Sequence, residues 1–209
     1  MFKNRVEAGK ELASHLLKYK SENGIVLGLP RGGVVPACKV AKALNWPLDV
    51  FISRKITAPL NPEYAIGAIT ENGLLELNDE LISELPDIDA EYIAHEIKHQ
   101  KEEIARRKEL FRNGRDLPDL KKKTVILVDD GVATGFTLLA AINSLRKLGA
   151  KKIIAAVPIV PKEIKKAFNE KVDQFIALKT PEVFFAVGEF YEEFPQVEDE
   201  EVIKILQKK

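Results

Sequence analysis

Apolar residues along the chain form two kinds of segment, which alternate from one terminus to the other. The first kind is a short run, largely of β-branched residues, with few polar positions. Such runs are typical of strands buried on both faces of a parallel sheet, and they occur at residues 25–29, 48–52, 125–128, 152–157 and 172–178. The second kind repeats apolar residues every three or four positions, as helices that pack on a sheet do, and it covers residues 3–19, 34–44, 136–148, 163–168 and 198–208. The alternation predicts an α/β fold with a doubly wound, mainly parallel sheet of about five strands.

The alternation is interrupted between the second and the third run, at about residues 60–115. A hairpin is predicted at the start of this insertion, because Asn72-Gly73 is flanked by strand-forming residues. A short helix at 79–85 and a highly charged helix at 89–111 follow. The charged helix carries only a thin apolar seam, so we expect it to lie on the surface; the seam consists of Ile93, Ile97, Ile104 and Leu110.

The length of the chain does not require a second domain. A chain of 209 residues can bury one sizeable core, and no low-complexity linker divides it. We therefore expect a single domain over residues 1–209. Its last part is the richest in aromatic residues, which stand at positions 184, 185, 190, 191 and 194.

Charge and cysteine content narrow the function classes. Lys plus Arg and Asp plus Glu both number 32, so the formal net charge is zero, which argues against nucleic-acid binding through a basic surface. The chain has no signal peptide and no run of about 18 apolar residues, so we expect a cytoplasmic protein that does not enter a membrane. The one cysteine, Cys38, lies in an apolar helical pattern and is predicted to belong to the core.

The candidate chemistry centres on Val125 to Thr137, which reads V-I-L-V-D-D-G-V-A-T-G-F-T. A buried strand ends at two adjacent carboxylates, Asp129 and Asp130, and a loop of small residues leads into a helix. Backbone N–H groups at the start of such a helix bind phosphate, and carboxylates accept hydrogen bonds from hydroxyls. The segment therefore predicts a site for a phosphorylated sugar at the carboxyl end of the strand.

Two further groups follow the first and second apolar runs. Pro30-Arg31-Gly32-Gly33 leads from a strand into a helix, where arginine and glycine amides suit an anion. Arg54-Lys55 follows the second run. Because the carboxyl ends of parallel strands meet at one edge of a sheet, we expect both groups to serve the same site.

One motif points to a different chemistry. His95, Glu96 and His99 match the H-E-x-x-H pattern, in which two histidines on one helix face bind zinc. The surrounding helix is charged on nearly every side, and nothing marks a third ligand. We therefore favour a solvated helix and keep a zinc hydrolase as a remote alternative.

Taken together, these residues resemble the type I phosphoribosyltransferases. Val125 to Thr137 is similar to that family's 13-residue signature for phosphoribosyl pyrophosphate, and Leu29 to Gly33 is similar to its pyrophosphate loop. Within the family, the chain resembles a bacterial and archaeal subgroup without an assigned acceptor, through G-L-P-R-G-G-V-V-P-A, A-P-L-N-P-E-Y-A-I-G-A-I and F-F-A-V-G-E-F-Y. Two positions depart from the common pattern: Gly131 stands where a branched residue is frequent, and Phe136 replaces a glycine.

The resemblance implies a role for each residue that matches a motif. Asp129 and Asp130 would hold the ribose 2- and 3-hydroxyls. The 5-phosphate would be bound by Ala133, Thr134, Gly135 and Thr137 with the amides of Gly131 and Val132. Pyrophosphate would be bound by Arg31, Gly32, Gly33, Arg54 and Lys55, with Mg²⁺ held mainly by the substrate itself.

The resemblance also implies the reaction and its partners. A nitrogenous base would displace pyrophosphate from ribose C1 through an oxocarbenium-like state, in a protein that assembles as a homodimer. A C-terminal hood at about 179–209, together with the N-terminal helix, would cover the base, with Lys179, Phe184 and Phe185 as contacts. Two alternatives stay open: a non-catalytic regulator that binds phosphoribosyl pyrophosphate or a nucleotide, and the zinc hydrolase.

Overall fold

Buried strands and amphipathic helices alternate as the sequence predicts. The computed structural model describes residues 1–59, 61–85 and 87–207, without the side chains of 61–63. In chain order the elements are α1 (Arg5–Leu16), β1 (Gly24–Gly28), α2 (Val34–Leu44), β2 (Leu48–Val50), β3 (Ser53–Ala58), β4 (Asn61–Thr70), β5 (Leu75–Leu77), α3 (Asp79–Ser83), α4 (Ala90–Arg112), β6 (Thr124–Val128), α5 (Phe136–Lys147), β7 (Lys152–Ile159), α6 (Lys162–Asn169), β8 (Gln174–Lys179) and α7 (Asp199–Gln207).

The chain divides into two compact units. The first comprises Met1–Phe51, Leu117–Ala133 and Leu145–Lys209, and the second comprises Ile52–Asp116 and Thr134–Ser144. The second unit therefore spans the predicted insertion at about 60–115, together with β3 and the start of α5.

The first unit contains a five-stranded sheet with the order β2-β1-β6-β7-β8, in which every pair is parallel. Strands β1 and β6 are buried along their whole length, as expected for apolar strands covered on both faces. The predicted α/β fold with a mainly parallel sheet of about five strands is confirmed. Strand β2 is shorter than the predicted 48–52: Phe51 N still donates to Gly28 O at 3.0 Å, but β1 ends there and offers no further partner.

Helices α1 and α2 pack on each other and on one face of this sheet. They supply Leu12, Leu16, Val40 and Leu44 to a core that includes Ile126 of β6. The apolar repeat over residues 3–19 predicts an apolar stripe that includes Leu12, Leu16 and Leu17. Leu12 and Leu16 are buried. Leu17 is 50% exposed, because α1 ends at Leu16 and the chain continues as a 3-10 turn.

The second unit contains a three-stranded antiparallel sheet with the order β3-β4-β5. The predicted hairpin is present as β4 and β5, and its turn includes Gly73 with a φ of 82°. Strand β3 was not predicted, because S-R-K-I-T-A carries charged residues at half-buried positions. Arg54 and Lys55 consequently lie inside a strand, not in a loop after β2.

Helix α4 packs against β3 along a face that is only partly apolar. Its buried residues are Gln100, Ile104, Arg107, Phe111 and Arg112. The predicted seam is therefore confirmed at Ile104, whereas Ile93, Ile97 and Leu110 are only half-buried. Arg112 forms an ion pair with Glu71, with side-chain exposures of 3% and 6%, so a buried charge pair replaces part of the expected apolar contact.

In the first unit the N-terminal residues pair with the aromatic C-terminal segment. Phe2 N donates to Phe190 O, and Glu192 N donates to Phe2 O, both at 2.8 Å. Phe2 and Tyr191 are buried together with partly buried Phe184, Phe190 and Phe194. Across the described ranges, no helix is long and apolar enough to cross a membrane.

Candidate functional site

Two loops leave neighbouring strands of the first unit side by side. Strands β1 and β6 are parallel neighbours in which Gly28 pairs with Val128. Leu29 N donates to Val128 O at 2.9 Å, so the loop after β1 starts against the end of β6. Because both strands end at the same level, the Arg31-Gly32-Gly33 loop and the Asp129-Asp130 pair are brought together.

The contact between these loops depends on the two glycines. A Cβ atom at Gly32 would overlap the Asp130 carboxylate. A Cβ atom at Gly33 would lie 2.6 Å from Leu29 O and 2.8 Å from Asp129 Oδ1, closer than side-chain atoms approach. The missing side chains therefore let the backbone of one loop lie against the carboxylates of the other.

Asp130 is held from three directions. Its Oδ2 accepts a hydrogen bond from Arg5 Nε at 2.5 Å, and its backbone O accepts one from Tyr191 Oη at 2.6 Å. Its own N–H donates to Asp129 Oδ1 at 2.8 Å. The position of this carboxylate is thus fixed by α1, by the C-terminal segment and by its neighbour in the motif.

Arg5 belongs to neither predicted motif, yet it makes the strongest set of contacts at the site. Its Nη1 donates to Pro195 O at 2.7 Å, and its guanidinium lies 3.6 Å from the centroid of the Phe194 ring. The side chains of Arg5 and Asp130 are 10% and 14% exposed. A buried charge pair is stable only when hydrogen bonds satisfy its remaining donors, and the Pro195 carbonyl supplies one of them.

Tyr191 stays a neutral hydrogen-bond donor at this site. Burial of the phenol, helped by the negative charge of Asp130, raises the pKa of Tyr191 above its ordinary value of 10.0. The hydroxyl proton therefore remains on Tyr191 throughout the physiological range, and the bond to the Asp130 carbonyl does not titrate.

Arg31 faces the first turn of α7. Its Nη1 lies 3.3 Å from Glu198 Oε2 and 3.8 Å from Asp199 Oδ1. The peptide bond between Pro30 and Arg31 is cis. The arginine that the sequence predicts to bind an anion thus faces two carboxylates.

A cavity of about 460 Å³ opens beside these residues within the first unit. Arg31 and Gly32, which are predicted to bind pyrophosphate, line it together with Asp130. The other lining residues come from α1 and the C-terminal segment: Arg5, Val187, Phe194, Gln196 and Val197. Val187 also explains one departure from the family pattern, because a Cβ atom at Gly131 would overlap its methyl groups.

The rest of the signature loop divides between the two units after Ala133. In the first unit, Val132 N donates to Ile159 O at 2.9 Å, which occupies the amide predicted to bind phosphate. In the second unit, Gly135 has a φ of 83°, a conformation that favours glycine, and its carbonyl accepts from Leu139 N at 2.8 Å in the first turn of α5. Thr134 is exposed and Thr137 is half-buried.

The basic pair of the second unit lies near this turn. Ser53 Oγ donates to Thr137 O at 3.3 Å, so the start of β3, which carries Arg54 and Lys55, contacts the start of α5. Arg54 Nε donates to Gln100 Oε1 of α4 at 2.8 Å. The structure therefore places the residue before the basic pair in contact with Thr137 and holds Arg54 against α4.

The residues predicted to contact the base do not belong to the lining of this cavity. The Phe184 ring stacks on Phe190 at 5.8 Å, and Phe185 is 80% exposed. Lys179 Nζ lies 4.2 Å from the centroid of the Phe2 ring. The same C-terminal segment supplies Phe194 and Gln196 to the cavity instead.

The surroundings of His95, Glu96 and His99 show which groups are available to bind a metal ion. Glu96 accepts from Gln100 Nε2 at 2.8 Å, and both His95 and His99 are exposed. Across residues 1–59, 61–85 and 87–207, no group of three or more His, Cys, Asp or Glu could hold a metal ion. The zinc alternative thus lacks a ligand set in that part of the chain, and the adjacent carboxylates Asp129 and Asp130 suit an ion that arrives with its own oxygen ligands.

Sequence reasoning missed Arg5 and Tyr191, which lie 125 and 61 positions from Asp130. No local sequence pattern distinguished Tyr191 from the other aromatic residues of the C-terminal segment. For Arg5 a weak signal was present. A cation in the first turn of a helix faces an unfavourable helix dipole, so an arginine at that position indicates a specific partner.

Comparison with known proteins agrees with these motifs. The model of the phosphoribosyl transferase domain matches residues 2–193. A Mycobacterium tuberculosis protein, provisionally named a phosphoribosyl transferase, is 43% identical over 206 residues, which are 99% of this chain and 46% of that protein. The chain therefore spans about half the length of this relative.

Two further matches differ in extent. A crystal structure of a Thermus thermophilus protein is similar with a TM-score of 0.80 and 39% identity, covering 99% of this chain and 97% of that one. A transcriptional regulator of Methanosphaera stadtmanae is 30% identical over 92 residues, which are 44% of this chain and 44% of that protein. The first match covers the whole fold, and the second covers less than half of it.

Proposed function

The chain belongs to the phosphoribosyl transferase family, and from that premise we propose that it transfers a 5-phosphoribosyl group from phosphoribosyl pyrophosphate to a nitrogenous base and releases pyrophosphate. The family resemblance seen in the sequence is thereby confirmed, while the substrates are our proposal. The observation that carries it is the contact between the Arg31-Gly32-Gly33 loop and the carboxylates of Asp129 and Asp130. Under this proposal the glycine loop would bind the anionic leaving group beside the carboxylates that would accept the ribose hydroxyls, as displacement at ribose C1 requires.

The carboxylates would bind the ribose. Asp129 and Asp130 follow a buried strand and accept hydrogen bonds, so they suit the 2- and 3-hydroxyls of a pentose. A charged acceptor strengthens such a bond to about twice that of a neutral one. The ribose would thus be oriented with its C1 toward the glycine loop, where the leaving group would lie.

The pyrophosphate would be bound by the loop after β1. Arg31 offers a planar fork of donors for phosphate oxygens, and the amide of Gly32 would donate beside it, whereas Gly33 N already donates to Leu29 O at 3.1 Å. The motif assigns Lys55 and Arg54 to the same group. Mg²⁺ would neutralise charge on the leaving pyrophosphate and be held mainly by the substrate's own oxygens, and Asp129 and Asp130 are carboxylates that would suit it.

The 5-phosphate would be bound by the small-residue loop and the start of α5. The amide of Gly131, the residues Ala133, Thr134 and Gly135, and the Thr137 hydroxyl have this role by their place in the signature. Amides at a helix start bind phosphate because their N–H groups are unsatisfied within the helix. We leave out the amide of Val132, since it already donates to Ile159 O.

The chain would act chiefly by charge and position. An oxocarbenium-like state places positive charge on the ribose and negative charge on the departing pyrophosphate. Arg31 would stabilise the departing charge, while the carboxylates hold the sugar in line with the base.

The base would enter beside the C-terminal segment. Its predicted contacts remain Lys179, Phe184 and Phe185, and we add Phe194 and Gln196 because they line the cavity. A homodimer and a cytoplasmic location rest on the resemblance and the sequence alone and stay predictions.

A pyrophosphate-release assay tests the reaction. The purified protein is incubated with phosphoribosyl pyrophosphate, Mg²⁺ and a panel of purine, pyrimidine and other nitrogenous bases. We expect release that depends on one class of base and falls at least a hundredfold in Arg31→Ala, because the leaving group then lacks its donor. The matched control is Arg146→Ala, a surface arginine of the same unit. Equal rates in Arg31→Ala and wild type would contradict the assignment of this loop.

A regulator is the second candidate, and one observation favours it. The partial match from Methanosphaera stadtmanae is named a transcriptional regulator. Such a protein needs a site for phosphoribosyl pyrophosphate or a nucleotide but no turnover. Tight binding without pyrophosphate release on any base of the panel would favour the regulator over the enzyme.

A further inference from the structure

The Arg5 side chain connects three parts of the first unit at the proposed ribose site. It extends from the first residue of α1 to Asp130 in the signature loop and to Pro195 in the C-terminal segment. Few surface arginines are placed in this way, because burying a guanidinium is costly unless several partners compensate for the lost water. Its contacts compensate with a charge partner, a carbonyl and an aromatic face.

We propose that Arg5 is a positioning residue for ribose binding, which acts by fixing the carboxylate of Asp130. The inference rests on the proposed function, because Asp130 matters in this way only if it binds a ribose hydroxyl. Arg5 Nε donates a hydrogen bond to Oδ2 of the carboxylate. The second oxygen, Oδ1, is therefore the acceptor presented to the substrate. The hydrogen bond from Arg5 Nε to Oδ2, at 2.5 Å, also restrains rotation of the carboxylate about its Cβ–Cγ bond.

The backbone of Asp130 is fixed in parallel. Tyr191 Oη donates to the Asp130 carbonyl at 2.6 Å, and Tyr191 stacks on Phe194 with ring centroids 4.8 Å apart. Phe194 in turn carries the Arg5 guanidinium on its face. The side chain and the main chain of Asp130 are therefore held by one connected group, Arg5, Phe194 and Tyr191.

The same contacts tie the ribose carboxylate to the cavity wall. Arg5, Phe194 and Asp130 all line the cavity of about 460 Å³. Loss of the Arg5 side chain would release Pro195 and Phe194 as well as Asp130. We therefore expect ligands that contain ribose to lose affinity, while a ligand that contacts only the Arg31 loop does not.

The test compares ligands with and without ribose in full-length variants. Dissociation constants for Mg²⁺-phosphoribosyl pyrophosphate, ribose 5-phosphate and Mg²⁺-pyrophosphate are measured for wild type, Arg5→Met, Arg5→Lys and Arg146→Met. The control removes an arginine whose exposed pair with Asp173 has a distance of 2.7 Å. We expect Arg5→Met to weaken both ribose ligands at least tenfold and pyrophosphate less than twofold. Arg5→Lys keeps the positive charge but loses the planar guanidinium, so its affinity for both ribose ligands should lie between the affinities of wild type and Arg5→Met. The same variant tests the inference if Arg5→Met does not fold.

A double-mutant cycle shows whether Arg5 acts through Asp130. We expect Arg5→Met/Asp130→Asn to bind ribose 5-phosphate no more weakly than Asp130→Asn alone. Effects that multiply, or equal losses for ribose 5-phosphate and pyrophosphate, would overturn the inference in favour of a purely structural role. Unchanged ribose binding in Arg5→Met would overturn it as well and leave the proposed function intact. A wild-type protein that binds neither ribose ligand would instead overturn the proposed function itself.

Discussion

Gly32 and Asp130 face each other so closely that a methyl group at residue 32 would overlap the Asp130 carboxylate. The glycine sits in the loop after β1, and the aspartate sits in the loop after the neighbouring strand β6. Their contact is the point at which the two anion-related motifs of the sequence become one site. It also explains why the loop is glycine-rich, since the partner at this distance is a carboxylate.

Replacing Gly32 should therefore disable donor binding. We expect Gly32→Ala to lower the affinity for Mg²⁺-phosphoribosyl pyrophosphate at least tenfold, because the new methyl group displaces the Asp130 carboxylate from Arg5. The measurement is calorimetric titration, and the control is Gly73→Ala, whose methyl group meets no atom within 4 Å. That control carries only the strain of a positive φ, about 1 kcal/mol. Equal affinities in Gly32→Ala and wild type would show that the two loops do not form the donor site.

A substitution at Glu198 tests whether Arg31, which faces it, binds pyrophosphate. Its carboxylate lies 3.3 Å from Arg31 Nη1 and is largely exposed, so in our account pyrophosphate must replace it. We expect Glu198→Gln to raise pyrophosphate affinity about threefold, in line with the small free energy of an exposed ion pair. Glu200→Gln, in the first turn of α7 just after Glu198, is the matched control and should bind as wild type does. An unchanged or lower affinity in Glu198→Gln would argue that Arg31 is not the pyrophosphate ligand.

The ion pair between Glu71 and Arg112 should be a large contributor to the stability of the second unit. Both side chains are nearly inaccessible, and Glu71 Oε1 also accepts from Ile52 N at 2.8 Å. We expect Arg112→Met to lower the free energy of unfolding by about 3–5 kcal/mol, because it leaves a buried carboxylate without its charge partner.

Urea denaturation measures this effect, and two further variants make it specific. Glu71→Gln/Arg112→Met should recover part of the loss, since no uncompensated charge remains. Arg146→Met, whose pair with Asp173 is exposed, should lose about 1 kcal/mol or less. A loss in Arg112→Met no larger than in Arg146→Met would contradict the buried pair.

Glu103, on helix α4, should make the stability of the protein depend on pH. Hydrogen bonds from Arg106 and, to a lesser extent, Arg107 lower the pKa of Glu103 from 4.5 to about 2, against the opposing effect of burial. Because the folded pKa lies below the unfolded one, the stabilisation is present above about pH 4.5 and is lost as the pH falls toward 2. We expect Glu103→Gln to be about 1 kcal/mol less stable than wild type at pH 7.

The pH scan distinguishes this effect from a general loss of stability. The difference between Glu103→Gln and wild type should shrink as the pH is lowered through 4.5. A difference for Glu103→Gln that stays constant from pH 7 to pH 3 would contradict the assigned pKa.

The parts of the fold that the sequence predicts are those with local causes. Helix α2 begins after Gly33 and ends at Asn45, whose φ of 58° suits a left-handed cap, so its bounds could be placed at Val34–Leu44 before the structure was known. Strands β1 and β6 are predicted by their apolar runs. Strand β3 is not, because the pairing of Ser53 with Thr70 and of Lys55 with Ala68 is a tertiary property that no local pattern reveals.

The candidate site divides in the same way. Arg31, Gly32, Asp129 and Asp130 stand in motifs whose spacing carries a physical meaning, so their neighbourhood could be predicted. Arg5 could not, because its role depends on contacts with residues 125 and 190 positions away. The Val132 amide illustrates the converse: its place in the motif suggested a phosphate donor, and its bond to Ile159 O follows from the end of β7.

The most direct measurement for the central claim is calorimetric titration of phosphoribosyl pyrophosphate with Mg²⁺ into three proteins. These are wild type, Asp129→Asn/Asp130→Asn and Glu163→Gln/Glu170→Gln, the last an exposed pair of carboxylates on and next to α6. Our account predicts saturable binding to wild type and to the α6 variant, with at least a hundredfold weaker binding to the Asp129/Asp130 variant. No binding to wild type, or undiminished binding after loss of both aspartates, would contradict it.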